Sequence, residues 1–144
     1  MSALDEELAA LEAEDQEAEG ALDKARAEQS KVDRIAYLKL KKAQPELTLR
    51  SLKLDVYRPG SVTLLVYRSL DKIAHGRFVE LSSSGSKGKR EQAIRCAVSD
   101  CLLYPSEADF AALVRGGEFH ELPASLAVAA LNLTRAGAAE EGKG

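Results

Sequence analysis

A mostly helical α+β fold is predicted for this chain, on three observations. Residues 1–44 hold no proline and one glycine, Gly20, among Ala, Leu, Glu, Lys and Gln, which are good helix formers. After Pro45, apolar residues alternate with polar ones at the period of a strand as far as Val66. From Lys87 to Gly137, apolar residues recur at three- and four-residue steps in three short runs punctuated by Pro, Ser and Gly. The expected organisation is a long charged helical extension over 1–44, a small α+β helical domain over 45–137, and a flexible tail over 138–144. The domain should hold a β-hairpin and then a compact bundle of short helices.

The long helix carries a weak coiled-coil seam. Alternate steps of four and three from Leu4 give Leu8, Leu11, Asp15, Ala18, Leu22, Ala25, Gln29, Val32 and Ala36. Asp15 and Gln29 interrupt it, and its alanines bury little area. Leu4, Leu8, Leu11, Leu22 and Val32 are the candidate self-association residues. Charge is divided along the helix: nine acids, Asp5 to Asp23, precede any base, and Lys24, Arg26, Lys31, Arg34, Lys39, Lys41 and Lys42 dominate afterwards. That order suits the helix macrodipole. It would also set acid against base in an antiparallel pair of two copies, an association that high salt should weaken. The rival reading is a solvated helical extension.

Gln44-Pro45 ends the helix, because the residue before proline is pushed out of the α region. Leu47, Leu49, Leu52, Leu54 and Val56 make one strand, Arg58-Pro59-Gly60-Ser61 a turn, and Val62, Leu64 and Val66 a second strand. Tyr57 and Tyr67 are placed to pack across the pair. Arg50, Arg58 and Arg68 read as edge or surface charges. Ser69 and Asp71 can cap a short helix bearing Leu70, Ile73, Ala74, Phe78 and Leu81, weakened by Gly76. SSSGSKG, residues 82–88, reads as a mobile linker. A helix from about Lys89 to Leu103 follows, with Ile94, Ala97, Val98, Cys101 and Leu102 on one face and Pro105 as its stop. Ser106 caps the next, with Asp109 at the capping-box position and Phe110, Leu113 and Val114 as its apolar side. Gly116-Gly117 ends it. Pro123 opens a last helix with a stripe of Leu126, Ala129, Ala130 and Leu133, which Gly137 is expected to stop.

The totals bound the function. At 144 residues the chain is one domain plus an extension, with room for a modest core. Its net charge of -3 and aromatic content of 5%, with no Trp, give no reason to expect a nucleic-acid partner. No run of about 18 apolar residues could span a membrane, and the acidic start MSALDEELAALEAEDQ is the reverse of a signal peptide. The resulting expectation is a soluble, cytosolic protein.

The sequence holds no recognised catalytic, metal or cofactor motif, so neither an enzyme nor a cofactor is expected. His75 and His120 have no His, Cys or carboxylate at a metal-ligand spacing, and GGEFHELP lacks the HExxH pattern. The serine-rich loop lacks the glycine spacing and Gly-Lys-Ser/Thr ending of a phosphate-binding loop. Cys96 and Cys101, five apart on one helix, point to different sides and read as reduced core residues. Lys87, Lys89, Arg90 and Arg95 could meet phosphate, although lysines at a helix N-terminus oppose the dipole and serve solubility.

The segment from VTLLVYRSLDKIAHGRFVEL through EQAIRCAVSDCLLYPSEADFAALVRGGEFHELPASLAVAALNLTRAG resembles the small tail assembly chaperones of tailed phages and prophages. The likeness covers about Thr63 to Gly137 and rests on Tyr67-Arg68, Arg77-Phe78, Cys101 to Ser106, Phe110, Leu113 and the helix after Pro123. It implies a non-enzymatic protein of the infected or lysogenic host cytoplasm that coats a phage tape measure protein, or another helical protein, during tail assembly; a homo-oligomer is expected separately, because short helices and a bare hairpin leave apolar surface to cover. An apolar groove of Phe110, Leu113, Val114, Phe119 and Leu126 would cover the partner's stripe; the rival reading of all five is plain core. The alternative is a structural or adaptor subunit of a phage particle that uses the helix of residues 1–44 for coiled-coil assembly.

Overall fold

A computed structural model describes the backbone of residues 2–143 and the side chains of residues 2–137. It is α+β and mostly α, as the sequence predicts: α1 (Ala3–Ala43), β1 (Leu49–Lys53), β2 (Leu64–Arg68), α2 (Lys72–Ser82), α3 (Lys87–Cys101), β3 (Leu102–Tyr104), α4 (Glu107–Arg115) and α5 (Leu122–Lys143). No described helix is long and apolar enough to cross a membrane.

Helix α1 runs 41 residues to the stop expected at Pro45. Ser2 and Asp5 form a capping box, in which Ser2 Oγ accepts from the Asp5 N–H at 3.1 Å and Asp5 Oδ2 accepts from the Ser2 N–H at 3.3 Å. Asp71 caps α2 and Ser106 caps α4 through the Asp109 N–H, as their positions predict. Gly117, at φ 89°, takes the left-handed conformation just after α4 that glycine tolerates best.

The hairpin strands pair antiparallel from Leu49↔Arg68 to Lys53↔Leu64. A third strand, β3, pairs antiparallel with the other edge of β2, giving the order β1-β2-β3. It occupies residues expected to finish the helix from Lys89. The helix stops at Cys101 instead, because proline at 105 favours extended backbone before it and the free edge of β2 offers hydrogen-bonding partners.

Central strand β2 is buried on both faces. Leu64 and Val66 point to one side, where they pack with Leu49 and with Tyr37 and Leu40 of α1. Leu65 and Tyr67 point to the other, into the main core with Ala97, Val98, Cys101, Phe110, Phe119 and Leu126. The molecule is therefore layered: the second half of α1, the sheet, then α3 and α5 with α4 and α2 around them. The second half of the helix expected as a 1–44 extension thus packs on the 45–137 domain, with Asp33 and Tyr37 buried.

Three smaller expectations change. The linker shortens, because Ser82 closes α2 and Lys87 and Gly88 already belong to α3. Tyr67 is core, whereas Tyr57 lies outside both strands and is half-buried. Helix α5 does not stop at Gly137 but continues through the expected tail to Lys143. A glycine costs a helix about 1 kcal/mol without ending it, and the flanking alanines are strong helix formers. Of the expected tail, Gly144 lies outside the described residues.

Candidate protein-binding surface

The helix α1 is held to the sheet by one buried carboxylate. Asp33, wholly buried, accepts from the Thr63 N–H and the Thr63 hydroxyl at 2.6 Å each, from the Tyr104 hydroxyl at 2.5 Å and from Gln29 Nε2 at 2.8 Å. Four donors replace the water the carboxylate loses. Burial first, and then its bond to Asp33, raises the Tyr104 phenol well above its ordinary value, so it stays a donor. One helical turn on, the Tyr37 hydroxyl donates to the Leu49 carbonyl at 3.1 Å. Towards the other end, Arg26 Nη2 donates to the Leu54 carbonyl at 3.2 Å. The anchored stretch is thus Arg26 to Leu40.

Ahead of Arg26 the helix overhangs the domain. Residues 3–22 extend for about 30 Å at 1.5 Å per residue, and every side chain among them is exposed. Leu4 is 76% exposed, and Leu8, Leu11 and Leu22 are exposed with it. Their direction is fixed by the helical repeat. Leu4, Leu22 and Leu40 are separated by 18 residues each time (22 − 4 and 40 − 22), which is five whole turns. The free leucine face is therefore the continuation of the face that docks through Leu40. Of the self-association set, Leu4, Leu8, Leu11 and Leu22 lie together on the overhang, while Val32 is exposed on the docked half. The intervening seam residues Ala25, Gln29 and Ala36 are half-buried.

The expected groove set is placed otherwise. Phe110, Phe119 and Leu126 are 6%, 8% and 0% exposed and belong to the main core, and Leu113 and Val114 are half-buried against it. A depression of about 400 Å³ does lie over α3, α4 and the start of α5, but of the five only Phe110 and Val114 line it, beside Arg95, Val98 and Pro123. Short helices with one strong apolar stripe close on each other, which leaves little of the stripe for a partner.

Other polar contacts tie the elements together. Arg58 makes a 2.9 Å ion pair with Glu118 and donates to the Gly116 carbonyl, tying the hairpin connection to the end of α4. That hydrogen-bonded pairing draws the Glu118 carboxyl below its usual value. Arg68 pairs with Asp100 at 3.2 Å, and Asp100 also accepts from the Asp71 N–H. Burial nevertheless raises the Asp100 carboxyl above its usual value. Cys101 is free and buried, its thiol pushed up to about 12 chiefly by burial, and Cys96 is free and half-buried. His75 is half-buried, whereas His120 is exposed and its Nδ1 lies 3.1 Å from the Gly117 carbonyl. Among the described residues no three His, Cys, Asp or Glu side chains converge. Lys87, Lys89, Arg90 and Arg95 are exposed on α3.

Sequence reasoning missed the Asp33 anchor. Its signal was an acid among the basic residues of α1, one turn before a tyrosine. Set against family descriptions, curated proteins and solved structures, the chain matches none.

Proposed function

We propose that the protein is a non-enzymatic assembly factor that binds a helical protein through the leucine face at the free end of α1. The observation that carries this reading is the row Leu4, Leu8, Leu11 and Leu22, exposed on a helix whose other half is fixed to the domain. A solvated extension has no use for four aligned leucines, whereas a partner helix gains by covering them. The likeness of residues 63–137 to tail assembly chaperones, which does not extend to α1, supplies the partner class, the tape measure protein of a tailed phage, and a host-cell cytoplasmic setting.

A second reading has its own support. The Asp33 and Tyr37 anchors make α1 a strut fixed to the body, which suits a structural or adaptor subunit that stays in the particle.

Co-expression with a tape measure protein, followed by co-purification and light scattering, tests the first reading. The expected result is a soluble complex that Leu8→Ser with Leu11→Ser dissolves and Phe110→Leu does not. A partner that remains insoluble beside the wild-type chain would contradict it, and presence of the chain in purified particles would favour the second reading.

A further inference from the structure

The docked half of α1 forms, with edge strand β1, a groove of about 530 Å³ lined by Lys31, Arg34, Ile35, Lys53 and Leu64 together with two serines. Three cations and no carboxylate rim it. Lys31 has one exposed ion pair, 3.5 Å to Glu28, of the kind that contributes little. Ile35 is 53% exposed, and Val32 and Leu38 are exposed nearby on the same helix. Such a groove fits an acidic amphipathic helix. This chain carries one: residues 3–22, with Leu4, Leu8 and Leu11 exposed and no base before Lys24.

We propose that the groove receives the acidic leucine half of α1 from a second copy of this chain. Charge complementarity selects the register. Pairing two free halves would press eight carboxylates against eight, whereas free half on groove sets Asp5, Glu7 and Glu12 beside Lys31, Arg34 and Lys53.

The pairing is head-to-tail. The free leucines face the same side as Leu40, whereas Lys31, Arg34 and Ile35 lie more than about 100° round the helix from it at 3.6 residues per turn. Two straight antiparallel helices cannot present both surfaces to each other across one two-fold axis. Each copy therefore gives its leucine half to one neighbour and its groove to another, which grows an open chain. Self-docking also occupies the leucines on which the proposed function depends, so a helical partner would compete with it.

Light scattering across a concentration series tests this with the full-length chain. The wild-type mass should rise past two copies without a plateau. Moving from roughly 0.1 M to roughly 1 M salt, where the screening length falls from about 10 Å to about 3 Å, should weaken association on the order of tenfold. Leu8→Asp with Leu11→Asp removes the donor, and Lys31→Glu, Arg34→Glu and Lys53→Glu together remove the acceptor. Each variant alone should be monomeric, with wild-type circular dichroism. Mixed, they should form a one-to-one pair that grows no further, because one intact donor meets one intact groove. Should the triple variant not fold, Lys53→Glu alone, on the exposed edge strand, should still weaken wild-type association severalfold. A plateau at two copies, or folded variants that fail to combine, would overturn the inference. So would a wild-type chain that stays monomeric yet binds a helical partner, an outcome that leaves the proposed function standing.

Discussion

Replacing Asp33 by Ala should release α1 from the sheet. Asp33 Oδ2 is the acceptor for both the N–H and the hydroxyl of Thr63, a residue 8% exposed, and Oδ1 serves Tyr104 and Gln29. Ala leaves the Thr63 and Tyr104 donors without an acceptor, at about 1–3 kcal/mol for each buried group left unpaired. Losing the desolvation cost of the carboxylate offsets part of this, so the three orphaned donors leave an expected net loss of about 3–5 kcal/mol. Native domains are stable by only about 5–15 kcal/mol in total. Asp33→Asn should cost less, about 1–2 kcal/mol. Its remaining oxygen can keep Thr63, while its amide donates to the Tyr104 oxygen and to a turned Gln29. Urea unfolding followed by circular dichroism measures both variants. Limited trypsin digestion should also cut Asp33→Ala early at Lys31, Arg34 and Lys39. An Ala variant within about 1 kcal/mol of wild type, or an Asn variant as damaged as Ala, would refute the anchor.

Phe110→Ala removes a core ring that is 6% exposed, and urea titration should show a loss of about 3–5 kcal/mol. Leu8→Ser with Leu11→Ser, both exposed, should leave the unfolding midpoint within about 0.5 kcal/mol of wild type while abolishing capture of a helical partner in pull-down. The Cys101 thiol, held protonated to about 12, favours the folded state fully below the unfolded value near about 8.5; stability should fall as pH rises from there through 12, and Cys101→Ala should flatten that alkaline limb. The Glu118 carboxyl, held low by Arg58, favours folding above its unfolded value near about 4.3 and loses that effect as pH falls below it, so Glu118→Gln should flatten the acid limb of the same titration.

The sequence made some of this legible because single residues decide it. Pro45 ends α1, Asp71 and Ser106 cap their helices, and Pro123 opens α5, each through local backbone chemistry that needs no tertiary partner. The hairpin followed from alternation, although alternation alone does not reveal that β2 is covered on both faces. Strand β3 was hidden inside an apolar helical run because its pairing partner lies over thirty residues earlier, Leu102 beside Tyr67. The anchor was hidden for a similar reason: Asp33 meets Thr63 and Tyr104 from distant parts of the chain, and on a helical wheel it reads as one more surface charge. The surface readings divided along the same line. Leu4, Leu8, Leu11 and Leu22 stayed exposed where no element packs on them, while Phe110, Phe119 and Leu126 were drawn into the core by helices the sequence could not orient.

Amide hydrogen exchange along α1, read first on the dilute chain and then with a helical partner, distinguishes a fixed half from a free, partner-binding half. Exchange should be slow from Arg26 to Leu40, comparable with β2, and much faster over residues 3–22, with protection spreading through Leu4 to Leu22 once the partner is present. Uniform protection of α1 in the dilute chain, or a partner that leaves residues 3–22 unprotected, would contradict it.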